Sequence, residues 1–167
     1  MRTGICLGIC GLLSILACNA LAASQRETVS VVDSGETLVI ASLRKHCVKI
    51  TIKTARILGR MPYLDEADLT RNLRPIVIEM IHIEVDGKPL FVSPSVFVDL
   101  VDPHKVRIGL ESKYMVLSIF GGDAADSYIT RVYFDSKAVR RRTLSSAIPP
   151  ATVAEETRYW LRTLRDE

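Results

Sequence analysis

The chain is short of the features that announce a function, and each absence excludes something. Its 167 residues hold four cysteines. Three of them, Cys6, Cys10 and Cys18, lie in the first 22 residues, which read as a removable leader. Without that leader Cys47 stands alone, so no disulfide can close within the mature chain and stability must come from a hydrophobic core. A lone cysteine is most often a small buried hydrophobe, and Cys47 is expected to be one. An intermolecular bridge is the other reading.

An excess of charge of one sign is also missing. Lysine and arginine number 22 against 19 acids, a formal net charge of +3; losing Arg2 with the leader lowers it to +2. Near-neutrality argues against a nucleic-acid-binding domain, which carries a pronounced basic excess. Beyond the leader no uncharged apolar window approaches the ~20 residues of a membrane-spanning helix. Internal repeats, low-complexity segments and interdomain linkers are absent.

Catalytic signatures are missing too. There is no G-x-S-x-G elbow, and His46, His82 and His104 fit no recognised pattern. His46 and Cys47 are adjacent, so on a strand they point to opposite faces and form no local dyad. Nothing in the sequence specifies a metal or a cofactor, and none is expected.

What is present begins with an export signal. Arg2 supplies a positive n-region, Ile5 to Ala17 an apolar h-region, and Ala20-Leu21-Ala22 a small-residue cleavage site. Residues 1–22 are expected to be a signal peptide and residues 23–167 a single β-rich domain, periplasmic or secreted if the source is bacterial. Ile15-Leu16-Ala17-Cys18 looks like a degenerate lipobox, so lipidation at Cys18 is the minority alternative. The mature chain is long enough to hide roughly two-thirds of its extended surface.

Period-2 alternation in short runs dominates that chain, as in antiparallel strands with one buried face. Thr28–Val32 and Thr37–Ala41 flank Asp33-Ser34-Gly35 and read as a hairpin. In Cys47–Lys53, Val48, Ile50 and Ile52 share one face and Lys49, Thr51 and Lys53 the other. Asp65–Arg74 is a charged loop or short helical turn. Ile76–Val85 and Leu90–Val92 flank Asp86-Gly87, a strong type I′ hairpin signal. A short helix is expected at Val96–Leu100, opened by Ser93-Pro94 and ended at Asp102-Pro103. Strands resume at Lys105–Glu111, Tyr114–Phe120, Ser127–Asp135 and Val139–Leu144. The tail, 151–167, suits either a helix or a last strand. About eight or nine strands of this kind indicate a mainly β fold, an antiparallel β-sandwich or small barrel with one short helix.

Three candidate sites emerge, each with a plain alternative. Gly121, Gly122, Asp123, Asp126 and Tyr128 make the most distinctive loop, either a recognition loop or an ordinary strand connection. Arg140, Arg141 and Arg142, with Lys137 and Arg131 nearby, form a basic patch for an acidic protein, an anionic glycan or lipid headgroups. Three consecutive arginines on a strand cannot share one face, and charge at a sheet edge also blocks aggregation. His82 and Glu84 share a strand face, but a zinc site needs three or four ligands, and solvent-facing polar residues are the simpler account.

The expectation is therefore an exported non-enzymatic binding protein, acting through loops or a sheet face on another exported protein, in the manner of an inhibitor or immunity-type envelope protein. A small envelope hydrolase or metal-dependent enzyme using His82 and Glu84, and a structural or lipid-contacting envelope protein, are the alternatives. Oligomeric state is not specified.

Overall fold

The structure, a computed structural model, describes residues 27–57, 74–149 and 152–160. The expected leader, Cys18, most of the Asp65–Arg74 segment and the end of the tail lie outside the described residues. Ten strands are described: β1 (Glu27–Ser30), β2 (Gly35–Leu43), β3 (His46–Arg56), β4 (Ile76–Val85), β5 (Lys88–Leu90), β6 (Pro103–Glu111), β7 (Tyr114–Gly121), β8 (Tyr128–Phe134), β9 (Val139–Ser146) and β10 (Val153–Arg158). They form a large antiparallel sheet, β1-β6-β7-β8-β9-β10, and a small one, β2-β3-β4-β5. Buried residues of both sheets make one hydrophobic cluster. The fold is mainly β, the expected antiparallel sandwich-like arrangement, and among the described residues the two sheets remain separate.

Alternation explains the core. On β3 the β-branched residues Val48, Ile50 and Ile52 are almost wholly buried while Lys49, Lys53 and Cys47 are exposed. Val106 and Ile108 on β6, Met115, Leu117 and Ile119 on β7, and Val132 and Phe134 on β8 supply the facing layer. Such side chains suit a pleated, half-buried surface. The Asp86-Gly87 turn joins β4 to β5 as expected, with φ of 53° and 75° at its two central residues, the positive values of a type I′ turn.

Four local expectations change. β1 does not pair with β2; it pairs with β6 in the large sheet, Glu27 opposite Ile108. Val31 N–H donates to His104 O, and Val32 N–H to Thr37 Oγ1, as the chain crosses between sheets. Asp33-Ser34-Gly35 thus forms a corner, because a turn signal says that the chain bends and not which strand it pairs with next. β5 starts two residues earlier than expected and ends before Phe91, which is exposed.

The helix expected at Val96–Leu100 is a single 3-10 turn at Pro94–Val96, and a second such turn occupies Ala124–Asp126. Ser93 gives no side-chain cap; its hydroxyl is bonded to that of Ser95. Without a cap so short a segment does not nucleate a longer helix. It instead drives Val96, Phe97 and Leu100 into one end of the core. In the tail, residues 153–158 form strand β10 along β9, which overturns the helical alternative there. Pairing gives β9 backbone partners on both sides, whereas a helix would have buried little, since Trp160 is exposed.

Candidate functional site

The face of the small sheet away from the core carries paired charges, Lys49 with Glu84 and Lys53 with Glu79, beside exposed Leu38, Ile40 and Met80. The corresponding face of the large sheet differs. Along β7 the inward Met115, Leu117 and Ile119 alternate with outward Val116, Ser118 and Phe120, so this strand is apolar on both sides. The outward residues of β6, β7 and β8 line a groove of about 420 Å³, within the usual size of a ligand-binding cleft.

Register assembles the site. Ser118 lies opposite Arg107 on one side and opposite Arg131 on the other. The three form a row across three strands, with the arginine Cα atoms two strand spacings, roughly 10 Å, apart. The next row is Lys105, Phe120 and Ile129. Lys105 Nζ sits 4.7 Å and the Arg107 guanidinium 5.5 Å from the Phe120 ring centre. On the far side, Val116 and Tyr133 occupy a further row.

Electrostatically the row is uncompensated. Arg107 donates through Nε to the Thr28 hydroxyl at 3.3 Å, a neutral partner, and no described carboxylate engages its fork. Arg131 makes no ion pair with a described carboxylate, nor does Lys105. Glu111, the acid on the groove, accepts from the Tyr133 hydroxyl at 3.3 Å. Two guanidinium forks and a hydroxyl in one row suit a carboxylate or another oxyanion. The aliphatic and aromatic side chains around them suit an apolar neighbour of that anion.

The residues singled out from sequence are dispersed. Tyr128 points away from the groove: its hydroxyl donates to Val101 O at 2.9 Å, and burial pushes its pKa far up. Gly121 packs against that ring, so closely that a Cβ would overlap it. Gly122 has φ of 75°, and a Cβ there would overlap the backbone carbonyl of Asp126. The two glycines thus have packing reasons to be present. Asp123 is exposed; Asp126 N–H closes the loop on Asp123 O.

The arginine run separates by face, as strand geometry requires. Arg140 pairs with Asp135 at 2.9 Å. Arg142 points inward, almost fully buried, and pairs with Asp99 and Glu155. Arg141 is outward, beside the groove, stacked 4.0 Å from the Tyr133 ring centre and 3.5 Å from Glu156. Each arginine therefore has an internal acid, and β9 is an interior strand of its sheet and not an edge.

His82 Nε2 and Glu84 Oε1 are 3.0 Å apart on the small sheet. Among the described residues no three or more His, Cys, Asp or Glu gather where they would hold a metal ion, and no helix is long and apolar enough to cross a membrane. Cys47 is exposed and unbridged, which corrects the buried expectation: it takes the outward position that alternation assigns beside inward Val48.

Neither a protein-family model, nor a curated protein, nor a solved structure matches this chain. The functional reading therefore rests on the geometry alone. Sequence reasoning missed Arg107, Ser118, Phe120 and Ile129. The available signal was β7, whose outward Val116 and Phe120 break the polar alternation of a one-side-wet sheet.

Proposed function

We propose that this is an exported, non-enzymatic binding protein of the inhibitor or immunity type, whose outer large-sheet face docks another exported protein through an acidic side chain flanked by apolar ones. The observation that carries this reading is the Arg107–Ser118–Arg131 row, which no described carboxylate neutralises, set among Phe120, Ile129 and Val116. Arginine and aromatic residues are enriched at the energetic centres of interfaces. A three-strand scaffold holds them with little ordering cost on binding. A partner carboxylate between the two forks forms charge-assisted bonds, and its apolar neighbours lie on Phe120 and Ile129. Export is supported by the leader reading of residues 1–22.

The test is selection of a random-peptide library on the folded protein, with counter-selection on R107E/R131E. Recovered peptides are expected to centre on Asp or Glu beside aromatic or aliphatic residues. R131A is expected to weaken them about 30-fold, the effect of a ~2 kcal/mol hot spot. Peptides without acidic enrichment, or ones that the double variant retains, refute the groove. Cell fractionation with intact mass tests export. A mature chain starting at Ala23 supports it, a lipid-modified Cys18 amends it to an anchored form, and a cytoplasmic chain retaining Met1 refutes it.

A further inference from the structure

We propose a second binding site at the turn end of the sandwich, a mouth between the two sheets that takes a small amphiphile: an unbranched acyl chain ending in a carboxylate. Three two-residue turns meet here, Arg44-Lys45 between β2 and β3, Ser112-Lys113 between β6 and β7, and Asp86-Gly87 between β4 and β5. Arg44, Lys45 and Lys113 of the first two turns, with His46 and with Asp135 and Ser136 of the β8–β9 connection, line a cavity of about 440 Å³. Its floor is Leu43, Leu110 and Met115, where the hydrophobic core reaches the end of the sheets, and its rim carries Arg44, Lys45 and Lys113.

Charge selects the head group. The Arg44 fork donates to Ser112 O at 2.6 Å, tying the two sheets across the mouth without losing its charge to an acid. Lys45 and Lys113 are exposed and make no ion pair with a described acid, and Lys113 lies 5.3 Å from the Tyr114 ring centre. The two acids nearby are already engaged. Asp86 is bonded to His46 Nδ1 at 2.6 Å and to Cys47 N–H at 2.9 Å. Asp135 accepts from Lys137 N–H, Ala138 N–H and Arg140 Nε, all within 3.0 Å. Among the described residues the lining thus sets Arg44, Lys45 and Lys113 against one carboxylate, Asp135, whose oxygens are already taken, and an anion is its complement.

Shape selects the tail. The floor is aliphatic and includes a methionine, a side chain that adapts to irregular neighbours. A slot between two sheets, packed about 10 Å apart, admits a slender chain more readily than a protein surface. The site borders the groove at Leu110, which lines both, but its cations are other residues, and it opens at the end of the sandwich and not on a sheet face.

The probe is a series of saturated monocarboxylates of increasing chain length, held below micelle formation and titrated into the full mature protein by calorimetry and amide NMR. Affinity is expected to rise about fourfold per added methylene, as burying each one implies, and then to level off when the slot is full. Primary alcohols of equal length are expected to bind at least tenfold more weakly. Shifted amides should cluster at residues 43–46, 110–115 and 135–136. K45E/K113E, which alters exposed turn positions only, should abolish the preference for carboxylate, while R107E/R131E should leave binding unchanged. Absence of binding, affinity independent of chain length, equal binding of alcohols, or shifts centred on Arg107 and Arg131 would each overturn the proposal. The last two variants keep failure here distinct from failure of the groove reading.

Discussion

Arg142 and Asp99 make the same ion pair, yet the two ends of that pair should not be equally costly to remove. The Arg142 side chain is 3% exposed, whereas those of Asp99 and Glu155 are 38% and 48% exposed. Deleting the arginine leaves two carboxylates that water can reach. Deleting Asp99 leaves a guanidinium in the core with one counter-ion, and its Nε already lacks a partner. Arg142→Met keeps the aliphatic stem and removes that orphaned donor, so its cost is set by two partly screened pairs, about 1 kcal/mol in all. Asp99→Ala carries the penalty of a buried, underpaired charge, about 2–3 kcal/mol. Arg142→Ala adds a cavity and should cost about 3 kcal/mol. Once the cation is gone Asp99 has no structural task, so R142M/D99A should match R142M, a coupling of about 2 kcal/mol. Urea unfolding of the four variants with a shared m-value measures these differences. If D99A proves milder than R142M, the argument from unequal burial is wrong.

Gly121→Ala should destabilise by about 2–3 kcal/mol through overlap with the Tyr128 ring, and Tyr128→Ala on that background should recover part of the loss that the ring overlap causes, as read by thermal unfolding. For Asp135 the sign of the pH effect is set by its surroundings. Burial works to raise its pKa, but the Lys137 N–H, the Arg140 guanidinium and the Ala138 N–H together hold the carboxyl below its ordinary 3.8. Its stabilisation is therefore present above that value and fades as pH falls through the depressed one. Asp135→Asn should be less stable than the parent at neutral pH, by about 1 kcal/mol, and the two unfolding curves should converge well below pH 3.8; a constant gap across the range contradicts the assignment. Cys47, being exposed, should react with a disulfide reagent in the folded protein as fast as a small free thiol. Cys47→Ser should shift stability by less than about 0.5 kcal/mol, and slow labelling that requires denaturant would show that the thiol is covered.

The core was legible because period-2 alternation reports burial directly: Val48, Ile50 and Ile52 had to share a face, and Asp86-Gly87 had to turn. What alternation does not report is pairing. β1 carries the same apolar alternation whether it joins β2 through a tight turn or β6 across the sandwich. Only the long-range partners, His104 O for Val31 and the Ile108 register for Glu27, decide the case. Likewise the arginine run was readable as divided between faces, but not which acids would take each one, since Asp99 is 43 residues from Arg142.

The groove shows the same limit in functional form. Arg107, Ser118 and Arg131 are far apart in sequence and unremarkable one by one. Reflection through the Ser112-Lys113 turn brings Arg107 opposite Ser118, and that step could have been computed once β6 and β7 were bounded. The second step passes through the Gly121–Ser127 connection, whose 3-10 turn at Ala124–Asp126 and Gly122 backbone set the offset. A one-residue change there would send Arg131 to the core face and Thr130 to the groove. On the proposed reading the loop, whether or not it touches a ligand, would act on groove binding through the register that sets Arg131 beside Ser118. A loop variant that weakens groove binding while Asp123→Ala leaves it intact would separate this role from direct contact.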